Sequence, residues 1–114
     1  MTSRDALGLD DTELTQFLSD EVGSGAEIVV ASPGVDGYPE VAVVAARFIA
    51  AQDSDAAAIE IADTSPRDGV PVCAIVERGA TYDEICAAII RGVVRHRRVA
   101  VDDVVTFAFA KLHQ

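Results

Sequence analysis

The sequence predicts a mainly β protein, a six-stranded antiparallel barrel or sandwich with one N-terminal helix. Six short segments are apolar or alternate between apolar and polar residues, as strands do. The turns between them are too short for the crossover connections that parallel strands need. In the last segment Val105, Phe107 and Phe109 recur at strict period two. The predicted strands span residues 26–32, 40–50, 57–62, 70–77, 86–94 and 103–111.

The N-terminal helix is predicted over residues 12–18. Asp10 or Asp11 can cap it, and Leu14, Phe17 and Leu18 fall at the i, i+3, i+4 spacing of one helix face. We expect the helix to pack on the barrel through these three side chains, with residues 1–25 forming the helix and a glycine-rich linker. A further helical turn is predicted at residues 81–85, directly before the fifth strand.

Composition sets limits on the partners. The 114 residues suffice for a single domain, 1–114, and half of them are hydrophobic, so a core can form without disulfide bonds or a structural metal ion. The net charge of −10 argues against binding to nucleic acid or to an anionic membrane. Residues 1–20 lack the pattern of a signal peptide, which makes a cytoplasmic location the expectation. Cys73 and Cys86 lie in apolar segments and are expected to be buried reduced thiols.

No catalytic or metal-binding motif is recognisable, so the sequence predicts neither catalytic residues nor a metal site. His96 and His113 are expected to be solvated surface residues. Four of the nine cationic residues lie close together: Arg91, Arg95, Arg97 and Arg98. This cluster is either a solvated strand end, paired with Asp102 and Asp103, or a phosphate-binding anion site.

Three stretches, in this order, carry a family resemblance. The first runs from the helix through a strand at 28–31 and the turn Asp36-Gly37-Tyr38-Pro39 to Arg47-Phe48. The second runs from 72–76 through 81–85 to Arg91-Gly92, and the third is the closing strand at 104–112. Together they resemble the split-barrel flavin-binding proteins of the pyridoxamine-phosphate-oxidase superfamily.

The resemblance implies that the six strands form an antiparallel Greek-key split barrel. It also implies a homodimer with FMN, or a deazaflavin or haem, in a groove at the subunit interface. It matches Arg47, Thr64, Ser65 and Arg67 to the contacts of the flavin phosphate. The chain departs from the family at Ala42, where the oxidases carry an arginine, and in a shortened loop at 64–69.

Three functions therefore stay open. The first is an FMN-dependent oxidoreductase, in which the flavin performs the redox chemistry. The second is a cofactor-free structural or ligand-binding dimer that has lost the phosphate cradle, and the third is one subunit of a heterodimer. For a homodimer the interface is expected on strands 41–46 and 88–94, because both are more apolar than the inner face of a small barrel requires.

Overall fold

The computed structural model describes residues 8–62, 67–81 and 84–113, which form one α-helix, seven β-strands and a final 3₁₀ helix. In chain order the elements are α1 (Asp11–Val22), β1 (Ala26–Pro33), β2 (Pro39–Ile49), β3 (Ala58–Ile61), β4 (Pro71–Arg78), β5 (Cys86–Val93), β6 (Arg98–Ala100), β7 (Val104–Ala108) and the 3₁₀ helix Phe109–His113. The helical turn predicted at 81–85 lies partly outside the described residues.

The seven strands form one sheet in the order β6-β3-β2-β1-β4-β5-β7, and each neighbouring pair is antiparallel. The sheet curls into a half-barrel, so that β6, at one edge, lies against β5 near the other edge. The predicted mainly β class and antiparallel, barrel-like architecture are confirmed. The fold is compatible with a split barrel.

The described part of the chain has seven strands where the sequence predicted six. The additional strand, β6, has a single fully buried residue, Val99, between exposed neighbours, so no periodicity marks it in the sequence. It pairs with β3 through Val99 and Ile59. On its other side a Cβ atom at Gly92 would lie 3.2 Å from Val99 Cγ1, and the glycine therefore leaves room for this close approach.

The last predicted strand was too long. β7 ends at Ala108, and Phe109 begins the 3₁₀ helix, although the period-two pattern continues to that residue. Ala108 pairs with Cys86, the first residue of β5, and one further backbone bond follows, from the Phe109 N–H to the Ile85 carbonyl at 2.9 Å. The Phe109 ring stacks on Phe107, with ring centroids 5.3 Å apart.

Helix α1 is longer than predicted but buries the predicted face. Asp10 forms a capping box, accepting from the Glu13 backbone N–H at 2.8 Å while its own N–H donates to the Glu13 carboxylate. Leu14, Phe17 and Leu18 are all buried, which confirms the predicted packing of the helix on the sheet. They contribute to one core with the inward-facing residues of the strands. The outward-facing residues of the strands lie outside this core and are available for contacts with other molecules.

Candidate functional site

The outer sheet face, meaning the face turned away from the core, carries a continuous apolar row. Cross-strand pairing aligns five residues on five neighbouring strands: Val43, Val29, Ile75, Ile89 and Val105. Four strand spacings make this row about 19 Å long. Within the single chain Val43 remains 63% exposed and Val105 37% exposed. β2 includes one of the two strands predicted to be more apolar than an inner face requires, and within the single chain Val43 on its outer face is not covered.

A second apolar row runs beside the first. Val41, Ala31 and Cys73 are aligned in neighbouring strands, and Cys73 is followed by Arg91 on β5. Val41 is 66% exposed. Cys73 is a free thiol and only half-buried, which corrects the prediction that both cysteines are buried. The error arises because an apolar neighbourhood in the sequence does not say which face of a strand a residue occupies.

A groove with a volume of about 600 Å³ opens where the second row ends. Its walls come from the end of β1, the β1–β2 turn, the beginning of β4 and the end of β5, and are mostly apolar. Its lining includes Ala31, Pro33, Tyr38, Pro71, Cys73 and Val93. The volume lies within the range of about 300–1,000 Å³ that is typical of small-molecule sites.

The β1–β2 turn positions Tyr38 at this groove. Gly37 adopts a φ of 88°, which favours glycine, and the Asp36 carboxylate accepts from the Tyr38 N–H at 3.1 Å. The turn is closed by the Gly34 N–H, which donates to the Tyr38 carbonyl at 2.9 Å. The Tyr38 residue itself is 74% exposed. Sequence reasoning used this turn for the family resemblance without assigning Tyr38 to a site.

An ion pair forms the polar rim of the groove. Arg91 donates through Nη2 to Asp103 Oδ1 at 2.8 Å, and the Arg91 backbone N–H donates to the Asp103 carbonyl. Both side chains are exposed. The predicted pairing of the basic cluster with Asp103 is therefore confirmed for Arg91, whereas Arg98 binds a different carboxylate.

That carboxylate is Glu60, which lies between Arg47 and Arg98 in a row across β2, β3 and β6. Arg47 Nε donates to Glu60 Oε1 at 2.9 Å, and Arg98 Nε donates to Oε2 at 3.2 Å. The hydrogen bond from Arg47, followed by that from Arg98, lowers the pKa of Glu60. The positive charge of Arg47, which was predicted to bind a phosphate, is thus partly neutralised by Glu60, 13 positions later in the sequence.

Of the three other predicted phosphate ligands, the structure describes Arg67 alone. Thr64 and Ser65 lie outside the described residues, and Arg67 is exposed next to a tight turn. The described residues on either side of this segment contact the β5–β6 connection: the Ile61 N–H donates to the Arg97 carbonyl at 2.7 Å, and the Asp68 carboxylate accepts from the His96 N–H at 3.0 Å. Arg67 is therefore near the predicted basic cluster, and Arg47 is linked to the same end of the sheet through Glu60.

A second groove, of about 510 Å³, separates α1 from the C-terminal segment. Lys111 Nζ crosses it, donating to Glu13 Oε1 and to the Gly8 carbonyl, both at 2.8 Å. The hydrogen bond from Lys111 lowers the pKa of Glu13. Burial raises the pKa of the Cys86 thiol at the base of this groove, which makes it a poor nucleophile. The contacts here hold the helix on the sheet.

Comparison with known proteins finds no matching family model, no matching curated protein and no matching solved structure. Among residues 8–62, 67–81 and 84–113, no three His, Cys, Asp or Glu side chains group as metal ligands would. No helix in this part of the chain has the length and apolar character to cross a bilayer. The outer sheet face, the groove and the arginines are therefore the features of the described residues that point to a function.

Proposed function

We propose that this protein is a homodimeric, flavin-binding oxidoreductase of the split-barrel type, with FMN bound beside the subunit interface. The observation that carries the proposal is the apolar groove opening onto an apolar, uncovered sheet face. The split-barrel flavin site that the resemblance implies has these two features, an apolar slot for a planar ring system and a surface that a second subunit closes. The FMN ring would supply the hydride and electron chemistry when bound, and the protein binds and orients it.

The case for a second copy rests on the outer sheet face. Two parallel rows of apolar side chains extend over neighbouring strands, with Val41 and Val43 each more than 60% exposed. Soluble monomers seldom expose contiguous apolar patches of this kind. A two-fold axis through this face would place the same rows of two copies against each other, as isologous interfaces require. Both β2 and β5, the strands predicted to form the interface, contribute residues to these rows.

The residues of the groove suit the isoalloxazine ring better than a charged substrate. Pro33, Pro71 and Val93 give its walls an apolar surface, and Tyr38 offers an aromatic side chain at its edge. Arg91 at the rim is engaged by Asp103, so its charge is partly compensated. These residues bind and orient a ring without performing acid or base chemistry, which agrees with the absence of a predicted catalytic residue.

The alternative of a cofactor-free dimer is favoured by one specific observation. Arg47, which the family resemblance matches to the flavin phosphate, is already bound to Glu60 at 2.9 Å, and Glu60 also binds Arg98. A phosphate arriving at Arg47 would have to compete with this carboxylate. A protein that had lost its cofactor would still retain the apolar dimer face.

Two measurements on the purified full chain separate these functions. Absorbance and an FMN titration followed by flavin fluorescence report on the cofactor. A bound flavin absorbs at about 450 nm and a haem at about 410 nm. Sedimentation at tens of micromolar, a concentration chosen as roughly appropriate for a stable interface, reports on the dimer. A dimer that binds FMN supports the proposal. A dimer that binds no flavin supports the cofactor-free alternative, and a monomer without flavin binding contradicts both.

A further inference from the structure

The connection between β5 and β6 is a tight hairpin made almost entirely of basic residues. The backbone N–H and carbonyl of Arg95 pair with those of Arg98, each bond measuring 2.9 Å. The two residues between them, His96 and Arg97, have φ values of 53° and 63°. Two successive left-handed residues define the type I′ hairpin, which normally uses asparagine and glycine. Non-glycine residues at both positions need additional support from their surroundings.

Asp68 supplies this support from the loop before β4. Its carboxylate accepts from the backbone N–H groups of His96 at 3.0 Å and Arg97 at 3.4 Å. These bonds, the one from His96 first, lower the pKa of Asp68. The Gly69 N–H donates to the Val94 carbonyl at 2.7 Å, which fastens the same loop to the end of β5. The hairpin is therefore held in one conformation, with its arginine side chains projecting from a fixed backbone.

Positive charge is concentrated at this end of the sheet. Five of the nine cationic residues of the chain lie here, and the carboxylates that the described structure places in contact with them are Glu60 and Asp68. The five are Arg47, Arg67, Arg95, Arg97 and Arg98. In a protein of net charge −10 this local excess opposes the overall field. An anion can bind here although most of the surface repels it.

Three of these guanidinium groups are available to a ligand. In the part of the chain that the structure describes, Arg67 and Arg95 form no ion pair, and both are exposed. Within the same described residues, the Arg97 guanidinium donates only to a backbone carbonyl, that of Ala62, over 3.4 Å. Arg47 and Arg98, in contrast, both bind Glu60. The available groups therefore combine Arg67, one of the predicted phosphate ligands, with Arg95 and Arg97 of the basic cluster that the sequence offered as an alternative anion site.

The hairpin also continues the strand that forms a wall of the apolar groove. Backbone pairing with the loop before β4 extends through Val94, because the Val94 N–H donates to the Val70 carbonyl at 3.0 Å. Arg91, Val93 and Arg95 thus alternate along one side of β5, and successive members are about 7 Å apart. Arg91 and Val93 line the groove, so Arg95 lies directly beyond its end.

From this arrangement we propose that the β5–β6 hairpin is a phosphomonoester site formed by Arg67, Arg95 and Arg97. A phosphate bound there would have its organic body in the adjacent groove. The assignment rests on the proposed flavin function for the identity of that body, but its anion chemistry is independent of it. Planar guanidinium groups suit the task, since each can present two N–H donors to phosphate oxygens.

The test compares binding of FMN and riboflavin, followed by flavin fluorescence, in the native protein and in single variants. Arg95→Gln and Arg97→Gln are each expected to weaken FMN binding by about 10- to 100-fold, the range for a charge-assisted hydrogen bond, and to leave riboflavin binding unchanged. Arg78→Gln is the matched control. It removes the same charge at the opposite end of β4, about 23 Å along the strand, where Arg78 binds Glu21.

The outcomes separate the two proposals. Equal affinity for FMN and riboflavin, or a large loss in Arg47→Gln with none in the hairpin variants, would overturn the hairpin assignment while leaving flavin binding intact. If the native protein binds neither flavin, the proposed function fails. Titration with inorganic phosphate, followed by amide NMR, then decides the anion site. Saturable shifts at the hairpin that are lost in Arg95→Gln support it, and their absence overturns it.

Discussion

Replacing Val43 by glutamate on the outer sheet face tests whether a second copy covers that face. The residue is 63% exposed in the single chain, so the substitution should leave the fold of each subunit intact. Full burial of a valine contributes about 1.5–3 kcal/mol, so covering the exposed two thirds contributes about 1–2 kcal/mol. A two-fold interface contains the residue twice, which gives about 2–4 kcal/mol, or a weakening of the dimer by about 30- to 1,000-fold.

Sedimentation over a dilution series measures this dissociation constant directly. The matched control is Val35→Glu, the same change at a fully exposed position in the β1–β2 turn, which should leave the dissociation constant unchanged. Thermal unfolding of both variants checks that the subunit remains folded. A Val43→Glu protein that dimerises as tightly as the native chain would refute the assignment of this face as the interface. A native chain that is monomeric at tens of micromolar, roughly the range of a stable interface, would refute the dimer itself.

Further predictions concern the core, the hairpin and the thiols. Leu18→Ala should lower the free energy of unfolding in urea by about 2–5 kcal/mol, because the side chain is fully buried, whereas Thr15→Ala on the exposed face of α1 should change it by less than about 0.5 kcal/mol. The lowered pKa of Asp68 means that its bonds to the hairpin stabilise the fold fully above about pH 4 and are lost as the pH falls through that lowered pKa. Asp68→Asn should therefore reduce the loss of stability at acid pH, and an unchanged acid limb in a pH series of urea titrations would contradict this. Iodoacetamide followed by mass spectrometry should modify half-buried Cys73 before Cys86, because burial both shields the Cys86 thiol and raises its pKa; equal rates in the folded protein would contradict this.

Much of the fold follows from local pattern. Asp10, one of the two predicted caps, caps α1. The buried face of α1 was predicted correctly because a helix repeats its contacts every three to four residues. The predicted strand at 57–62 is confirmed as β3, in which Ile59 and Ile61 are buried and Glu60 between them is half-buried. These signals lie within a few consecutive residues, where backbone geometry alone decides which side chains point the same way.

The candidate site was predicted less well because its residues are distant in the sequence. Arg47 was identified as a candidate ligand, but its pairing with Glu60 depends on the β2–β3 register, and that of Glu60 with Arg98 depends on the β3–β6 register. Neither the amino-acid composition nor a local motif specifies the register between two strands. Sequence reasoning therefore counted Arg47 as available when a carboxylate already engages it.

Two features follow from the sequence alone. One is the class of the fold, antiparallel β with one capped helix, and the other is the concentration of arginine after the fifth strand. The tertiary structure decided which strands are neighbours. By placing β1 between β2 and β4 it aligned the outer apolar row, and by curling the sheet it brought Asp68 onto the backbone of the Arg95–Arg98 hairpin. The physical reason is that local sequence fixes the alternation of side chains along a strand, whereas strand order and register result from burying the whole core at once.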